Sequence, residues 1–489
     1  MAKAIIWQDG VSREAEFTAP AKLDDILKQY NLSVSHPCGG RGSCGKCRVT
    51  LAGSVSDPDP LEQQAGIRLS CRTVLLGDAQ VWLPDSRSMV QIETVGTVKL
   101  TRLCPMAGKI GAAVDIGTTT LALKLYDLRT GECIGHSARE NPQRAVAADV
   151  IGRIQAALEG QGALLQKQIL QELEQMLREV CQSSCISFEE VDILTVVGNT
   201  TMLYLLTGAS PGSLAFAPFV AEDLFGRQEK LFGRDAYLPP CMNAFVGADI
   251  TAAVLSSGMC GQEEIALLCD IGTNGELTLW KDGTLYVTST AAGPAFEGAG
   301  ISCGCGSVTG AVDRVWVEGE KIRIHTLQNG TPVGLCGSGL LDAIAACLEL
   351  EIIDETGAMD EALLLCENVV LQPRDVRAVQ LAKAAVAAGI ETICAEAGIC
   401  VDAVQTFYIA GGFGSHLNIA SAVKIGLIPR VLSKRAKVLG NAALAGAVEM
   451  LLDQNLRREA KEIAGKSRHI NLGGNKVFNE LYIEKMLFE

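Results

Sequence analysis

Residues 109–126 read KIGAAVDIGTTTLALKLY: an apolar run, a Gly-Thr turn, then an alternation that puts Leu121, Leu123 and Leu125 on one face. The continuous run predicts a strand buried on both faces, and the alternation predicts an antiparallel partner with one face in a core. The pattern returns at 264–280, EIALLCDIGTNGELTLW, where Leu277 and Leu279 alternate after the turn. In both copies an aspartate closes the first strand, Asp115 and Asp270. A further apolar strand is predicted in TFYIAGGFGSHLN (406–418), running into Gly411, Gly412 and Gly414. FVGADITAAVLSSG (245–258) and LGNAALAGAVEML (439–451) predict helices whose small residues permit close crossing. Near the N-terminus, KAIIWQD and REAEFTA predict paired strands, AKLDDILKQYNL a helix and CGKCRVTLAG a strand.

Two copies of one hairpin predict two related α/β halves facing each other across a cleft. At 489 residues the chain exceeds a single core, so roughly two to four domains are expected. Its net charge of −14, with no block of Lys or Arg and only 5% aromatic residues, argues against a nucleic-acid surface. MAKAIIWQDGVSREAEF lacks the apolar centre of a secretory signal, and no run of about 18 apolar residues predicts a membrane span. A cytoplasmic, reducing and oxygen-poor interior suits the eighteen cysteines.

Four of those cysteines form a spaced set: Cys38-x5-Cys44-x2-Cys47, then Cys71 in RLSCRT. Three ligands in one tight loop plus a distant fourth is the arrangement that holds a [2Fe–2S] cluster. Gly39, Gly40, Gly42 and Gly45 let backbone amides turn toward inorganic sulfide. The alternative, a four-cysteine zinc site, ordinarily uses two C-x2-C pairs, and Cys71 has no cysteine neighbour. With its paired strands and helix, this segment resembles a β-grasp ferredoxin. Its spacing is one residue longer than the plant type, as in vertebrate-type ferredoxins. Cys303-x-Cys305 is too short and isolated for a second cluster, and the five histidines share no ligand spacing.

The turns carry a different chemistry. Gly117, Thr118 and Thr119 after Asp115, and Gly272, Thr273 and Asn274 after Asp270, offer amides and hydroxyls to phosphate oxygens. The two aspartates are placed to hold Mg²⁺ through water. Gly411, Gly412 and Gly414 let backbone lie against an adenine or ribose, although a plain glycine-rich strand-to-helix turn explains them equally well.

The order of the two D-I-G-T hairpins and the AGGFGS loop resembles the acetate/sugar kinase, Hsp70 and actin superfamily. In that resemblance Asp249 falls where an acidic residue stands near the attacking water, as general base or Mg²⁺-water ligand. Its alternative is a helix N-cap before ITAAVLSS. Longer strings narrow the likeness: GNTTMLYLLTG, FVGADITAA, CDIGTNGEL, AAGPAFEGAGI, CGSGLLDAIA, QLAKAAVAAGI and IAGGFGSHLN are similar to the reductive activators of corrinoid proteins. The resemblance covers residues 1–90 and about 109–489.

It implies a multi-domain α/β protein: a β-grasp ferredoxin-like domain (1–90), a linker (91–108), and the first (109–262) and second (263–489) lobes of an actin-like, ribonuclease H-like ATPase core. It implies a [2Fe–2S] cluster, ATP and Mg²⁺ as cofactors. The implied activity is one-electron reduction of Co(II) to Co(I) in the corrinoid protein of a methyltransferase system. The electron donor stays unnamed, and a homodimer is a candidate state. The loop GPAFEGAGISCGCG (293–306) is then placed to face the corrinoid with Ser302 near cobalt, the alternative being a structural loop. Larger members carry a further middle domain, where this chain has only residues 88–108. A small-molecule kinase and an activator of a radical dehydratase share the fold. A complete cysteine set in its own domain argues against both. An Hsp70-like binding module would need a peptide-binding domain after the core.

Overall fold

The computed structural model describes residues 2–8, 11–30, 32, 34, 47–65, 67–84, 96, 98–99, 102–105, 108–367 and 369–488. The chain divides into two compact units, Met1–Met89 with Pro142–Arg153, and Val90–Asn141 with Ile154–Glu489.

In the first unit, Val11–Phe17, Ala2–Gln8, Val74–Trp82 and Ala21–Lys22 lie side by side, and Thr50–Val55 also pairs with Val74–Trp82. Ala2–Gln8 runs parallel to Val74–Trp82, with Ala4 opposite Ala79. Helix Leu23–Gln29 buries Leu23, Ile26 and Leu27 in the same core as Ile6, Leu75 and Val81. It begins two residues later than the sequence predicts, because Ala21 and Lys22 pair with Leu75 and Val74 first.

The second unit holds two six-stranded sheets. One runs Phe225–Leu231, Arg234–Pro240, Val191–Gly198, Ile110–Ile116, Thr120–Asp127, Glu132–Glu140. The other runs Ala436–Gly440, Thr406–Ala410, Ala266–Ile271, Gly275–Lys281, Thr284–Thr290, Ser467–His469. Each has an antiparallel three-strand meander whose first strand is continued on its other side by two parallel strands. The duplication seen as a hairpin in the sequence therefore extends to five strands of each sheet, while the sixth differs: Phe225–Leu231 is antiparallel at one edge and Ser467–His469 parallel at the opposite edge. Ala112, Ala113, Val114 and Ile116, like Leu267, Leu268, Cys269 and Ile271, are fully buried, as the unbroken apolar runs require.

Helix Ala442–Leu452 leaves the second sheet and packs on the first, crossing helix Ala248–Ser257. Every residue of the former is buried, as a helix apolar on all sides must be. At the crossing, a Cβ on Gly446 would stand 2.1 Å from the carbonyl oxygen of Ala252. Gly446→Val is therefore expected to lower the unfolding free energy by roughly 2–4 kcal/mol, since two backbones would have to part. Urea denaturation checks this, and a loss under about 1 kcal/mol would show that the crossing is loose.

Three residues of the segment expected as a linker, Gly96, Lys99 and Cys104, are tied to this helix pair or to the residues beside it. Gly96 bridges Gly440, and Cys104 bridges Asp453. The Lys99 amide donates to Glu449 Oε1 (2.7 Å), its Nζ donates to the Ser257 carbonyl (2.9 Å), and Ser256 Oγ donates to the same Glu449 oxygen (3.2 Å). Among the described residues one helix, Pro373–Glu396, is long and apolar enough to cross a membrane by length and composition, but 78% of its most apolar window is buried inside the unit. It serves as a core helix under the second sheet, with Val386 and Ile390 in the same core as Leu277 and Leu279.

Candidate functional site

The two Gly-Thr turns meet. Thr119 Oγ1 and Thr273 Oγ1 lie 3.4 Å apart, although 154 positions separate them in the chain. Sheet register explains the approach: Asp115 stands beside Val197 and Asp270 beside Ala410, each at the last turn of its strand. The first turn is held by Asn141, whose Nδ2 donates to the Gly117 carbonyl and whose amide donates to the Thr119 carbonyl, both at 2.8 Å. In the second, the Gly272 amide donates to the Asn274 carbonyl at 3.0 Å. Gly411 has φ +90°, and a Cβ there would sit 2.5 Å from Asp270 Oδ1, so only glycine fits where that strand passes the carboxylate. Gly414 opens the short turn Gly414–His416 that follows.

Asp115, Asp249 and Asp270 line one partly buried region and act on one another electrostatically. Burial pushes the Asp115 carboxyl up to about 6, opposed by a hydrogen bond from Asn441 Nδ2 (3.1 Å). Burial, then repulsion from Asp115, pushes Asp270 up to about 7. Burial and the charges of Asp115 and Asp270 push Asp249 up to about 8. Asp249 lies in the first turn of helix Ala248–Ser257 and accepts from the Ile250 amide, while Gly247 is the N-cap. Buried Glu276, raised by burial and by Asp249 and Asp270, completes the acidic set. Among the described residues no three His, Cys, Asp or Glu side chains converge closely enough to hold a metal ion directly.

All three aspartates bind protons more tightly when folded than at their ordinary value of 3.8. The folded unit therefore holds more protons than the unfolded chain from about pH 4 to 8, and stability falls as pH rises across that window. Without cation or nucleotide, Asp249→Asn is expected to remove much of that fall, gaining on the order of 2–4 kcal/mol more at pH 8 than at pH 5. Urea melts at both pH values check this, and an equal fall in the variant would refute it.

Three residues that the motif reading passed over join the cleft. Thr119 Oγ1 donates to Glu297 Oε2 (2.5 Å) and Thr273 Oγ1 to Glu297 Oε1 (2.9 Å). Asn441 caps helix Ala442–Leu452, accepting from the Leu444 amide at 2.8 Å while it reaches Asp115. Glu276 is the third. Its signal was faint: an acidic residue in an otherwise apolar strand, opposite Asp270.

Ser302 is placed apart from the turns and already engaged. Its amide and Oγ donate to Asp375 Oδ1 at 2.8 and 2.9 Å, and Arg374 Nε donates to its Oγ at 2.8 Å. Cys303 and Cys305 flank a backbone pairing with Leu335, in keeping with a structural role.

Of the four spaced cysteines, Cys38 and Cys44 lie outside the described residues. Cys47 and Cys71 have their sulfurs 3.2 Å apart. Buried Glu62 organises that approach by accepting from the Leu69 amide at 2.7 Å, and the Ser70 amide donates to the Cys47 carbonyl at 2.8 Å. Two sulfurs this close, 24 positions apart in the chain, have the spacing of two ligands to one metal ion.

Fold and sites together define a class of protein, an iron–sulfur module joined to a two-lobed actin-like core. Family models agree along the chain: a 2Fe-2S iron-sulfur cluster binding domain matches residues 6–76, the RACo middle region 110–262, and the C-terminal domain of RACo, the ASKHA domain, 264–489. Corrinoid activation enzyme RamQ of Eubacterium limosum is 32% identical over 421 residues, covering 77% of this chain and 70% of that protein. The [Co(II) methylated amine-specific corrinoid protein] reductase of Methanosarcina barkeri is 26% identical, covering 76% of each. A solved reductive activator for a corrinoid, iron-sulfur protein superposes with a TM-score of 0.75 at 26% identity, covering 100% of this chain and 98% of that one. The chain belongs to the family of reductive activators of corrinoid proteins. The stretch that matches the RACo middle region carries the first hairpin.

Proposed function

We propose that this protein is an ATP-dependent reductive activator that returns a corrinoid protein from Co(II) to Co(I) by one-electron transfer. The observation that carries the reading is the meeting of Thr119 and Thr273 between two acidic strand ends, in a chain that also brings the Cys47 and Cys71 thiols together. The names of the relatives from E. limosum and M. barkeri supply the substrate class.

A [2Fe–2S] cluster held by Cys38, Cys44, Cys47 and Cys71 supplies electrons one at a time. An ordinary potential leaves Co(I) out of reach: a gap of about 200 mV is roughly 4.6 kcal/mol, or between three and four decades. Nucleotide chemistry offsets that gap. Hydroxyls of Thr119 and Thr273 and amides of the two turns take phosphate oxygens, with Thr118 and Asn274 beside them. Asp115 and Asp270 hold the water shell of Mg²⁺. Asp249, raised to about 8 by burial and by the charges of Asp115 and Asp270, would serve beside them as general base or as a ligand to Mg²⁺-bound water. Gly411, Gly412 and Gly414 leave room for the adenosine. Asn441 joins Asp115 to the helix that returns from the second sheet, so the state of the cleft acts on the helix pair. ATP shifts that equilibrium through unequal affinity for the open and closed forms.

The test is to mix reduced protein with a Co(II)-corrinoid protein and follow Co(I) absorbance with and without Mg-ATP. No ATP-dependent reduction with several corrinoid proteins would remove the proposal. EPR of the reduced protein separates it from a dehydratase activator, which would show a [4Fe–4S] signal.

A further inference from the structure

The carboxylate of Glu297 accepts hydrogen bonds from both threonine turns, one from each lobe. A threonine hydroxyl has a single proton to donate, so Thr119 and Thr273 cannot serve Glu297 and a phosphate oxygen at once. A phosphate oxygen and the Glu297 carboxyl group therefore compete for the same two donors. We infer that Glu297 is a latch: its carboxylate occupies the phosphate-binding hydroxyls, ties the two lobes together without nucleotide, and is expelled when a nucleotide phosphate binds. This rests on the nucleotide reading above and adds the regulation of that site.

The structure also fixes what moves with the latch. Glu297 ends the short turn Pro294–Glu297, and the neighbouring Phe296 ring stacks on Phe413 of the glycine loop, centroids 5.0 Å apart and planes 7° from parallel. Gly298, at φ +75°, turns the chain so tightly that a Cβ there would stand 2.5 Å from the Cys305 carbonyl oxygen. Five residues beyond Glu297, Ser302 is bound to Asp375 and Arg374. The loop is thus fastened to the second lobe on both sides of Glu297, and the bond to Thr119 is its tie to the first. Displacing the carboxylate breaks that tie and reorients the turn. Phosphate occupancy therefore becomes readable along residues 293–306, a loop that touches the glycine loop at one end and the helix Pro373–Glu396 at the other.

The experiment uses the full-length, cluster-loaded protein and a non-hydrolysable ATP analogue. Glu297→Ala and Glu297→Gln are expected to bind the analogue roughly tenfold more tightly than wild type, a change of about 1.4 kcal/mol. Adenosine, lacking phosphate, binds all three equally. Glu297→Asp keeps the charge but is one methylene too short to reach both hydroxyls. It also binds more tightly if the latch operates, and like wild type if charge repulsion alone is at work. In hydrogen-exchange measurements the analogue raises exchange across 293–306 in wild type, whereas Glu297→Ala shows that raised exchange from the outset. Unchanged or weaker analogue affinity in both neutral variants, or an Asp variant that matches wild type, overturns the latch and leaves the nucleotide site standing. A wild type that binds no analogue removes the nucleotide reading, and the latch with it.

Discussion

Cys71→Ala is expected to yield a folded protein that holds almost no iron or sulfide and reduces a Co(II)-corrinoid at least a hundredfold more slowly, with nucleotide binding changed less than twofold. The thiol lies 3.2 Å from Cys47, so under the proposed assignment its removal takes away one of two neighbouring ligands. Losing an outer hydrogen bond at a metal centre already costs 10–100-fold in affinity or activity, and losing a ligand costs more. Fold survives because the local scaffold does not depend on that sulfur: Glu62 still accepts from the Leu69 amide, and Thr73 Oγ1 still donates to the Leu69 carbonyl at 2.8 Å. Iron and sulfide analysis, visible absorption and Co(I) formation read the three outcomes. Full iron content in this variant would place the cluster ligands elsewhere and undo the assignment of the set.

The second large effect is expected at Asp270. Asp270→Asn keeps the shape and removes the charge next to Thr273, at the strand end that passes Gly411. Loss of one preorganised electrostatic group in a partly buried site typically costs 10²–10³ in rate, and ATP-dependent Co(I) formation should fall by that factor. The Mg²⁺ concentration for half-maximal activity should rise in parallel, while the small rate without nucleotide stays as it was. A further signature follows from the charges. Asp249 loses one of the two aspartates that raise it, so the acidic limb of the pH–rate profile should move to lower pH. Wild-type Mg²⁺ dependence in the variant would show that the cation is held by other groups. Asp115→Asn makes a weaker test, because Asn441 already donates to that carboxylate and an amide in its place would meet a second amide.

Much of this was legible before any fold was known. Apolar runs ending in Asp-Ile-Gly-Thr announced two strands and their turns, because a strand buried on both faces has little choice of composition. The small residues of 245–258 and 439–451 announced a close helix crossing, and the crossing lies at Gly446 against Ala252. The spaced cysteines announced a ligand loop, since few other pressures gather thiols and glycines in twelve residues. Helix Leu23–Gln29 was displaced by two residues because strand pairing of Ala21 and Lys22 outweighed their helical periodicity.

What the sequence by itself determined, then, is local: which segments are strands, where their turns fall, and which residue types at those turns suit phosphate or iron. Tertiary structure alone decided which distant groups meet. Glu297 reaches Thr119 across 178 positions, Asn441 reaches Asp115 across 326, and Lys99 reaches Glu449 across 350. The physical reason is one of range. Periodicity and turn chemistry act over a few residues, whereas the partner of a lone glutamate or asparagine is fixed by how whole sheets and helices pack, and a single polar residue carries no trace of that packing in its neighbours.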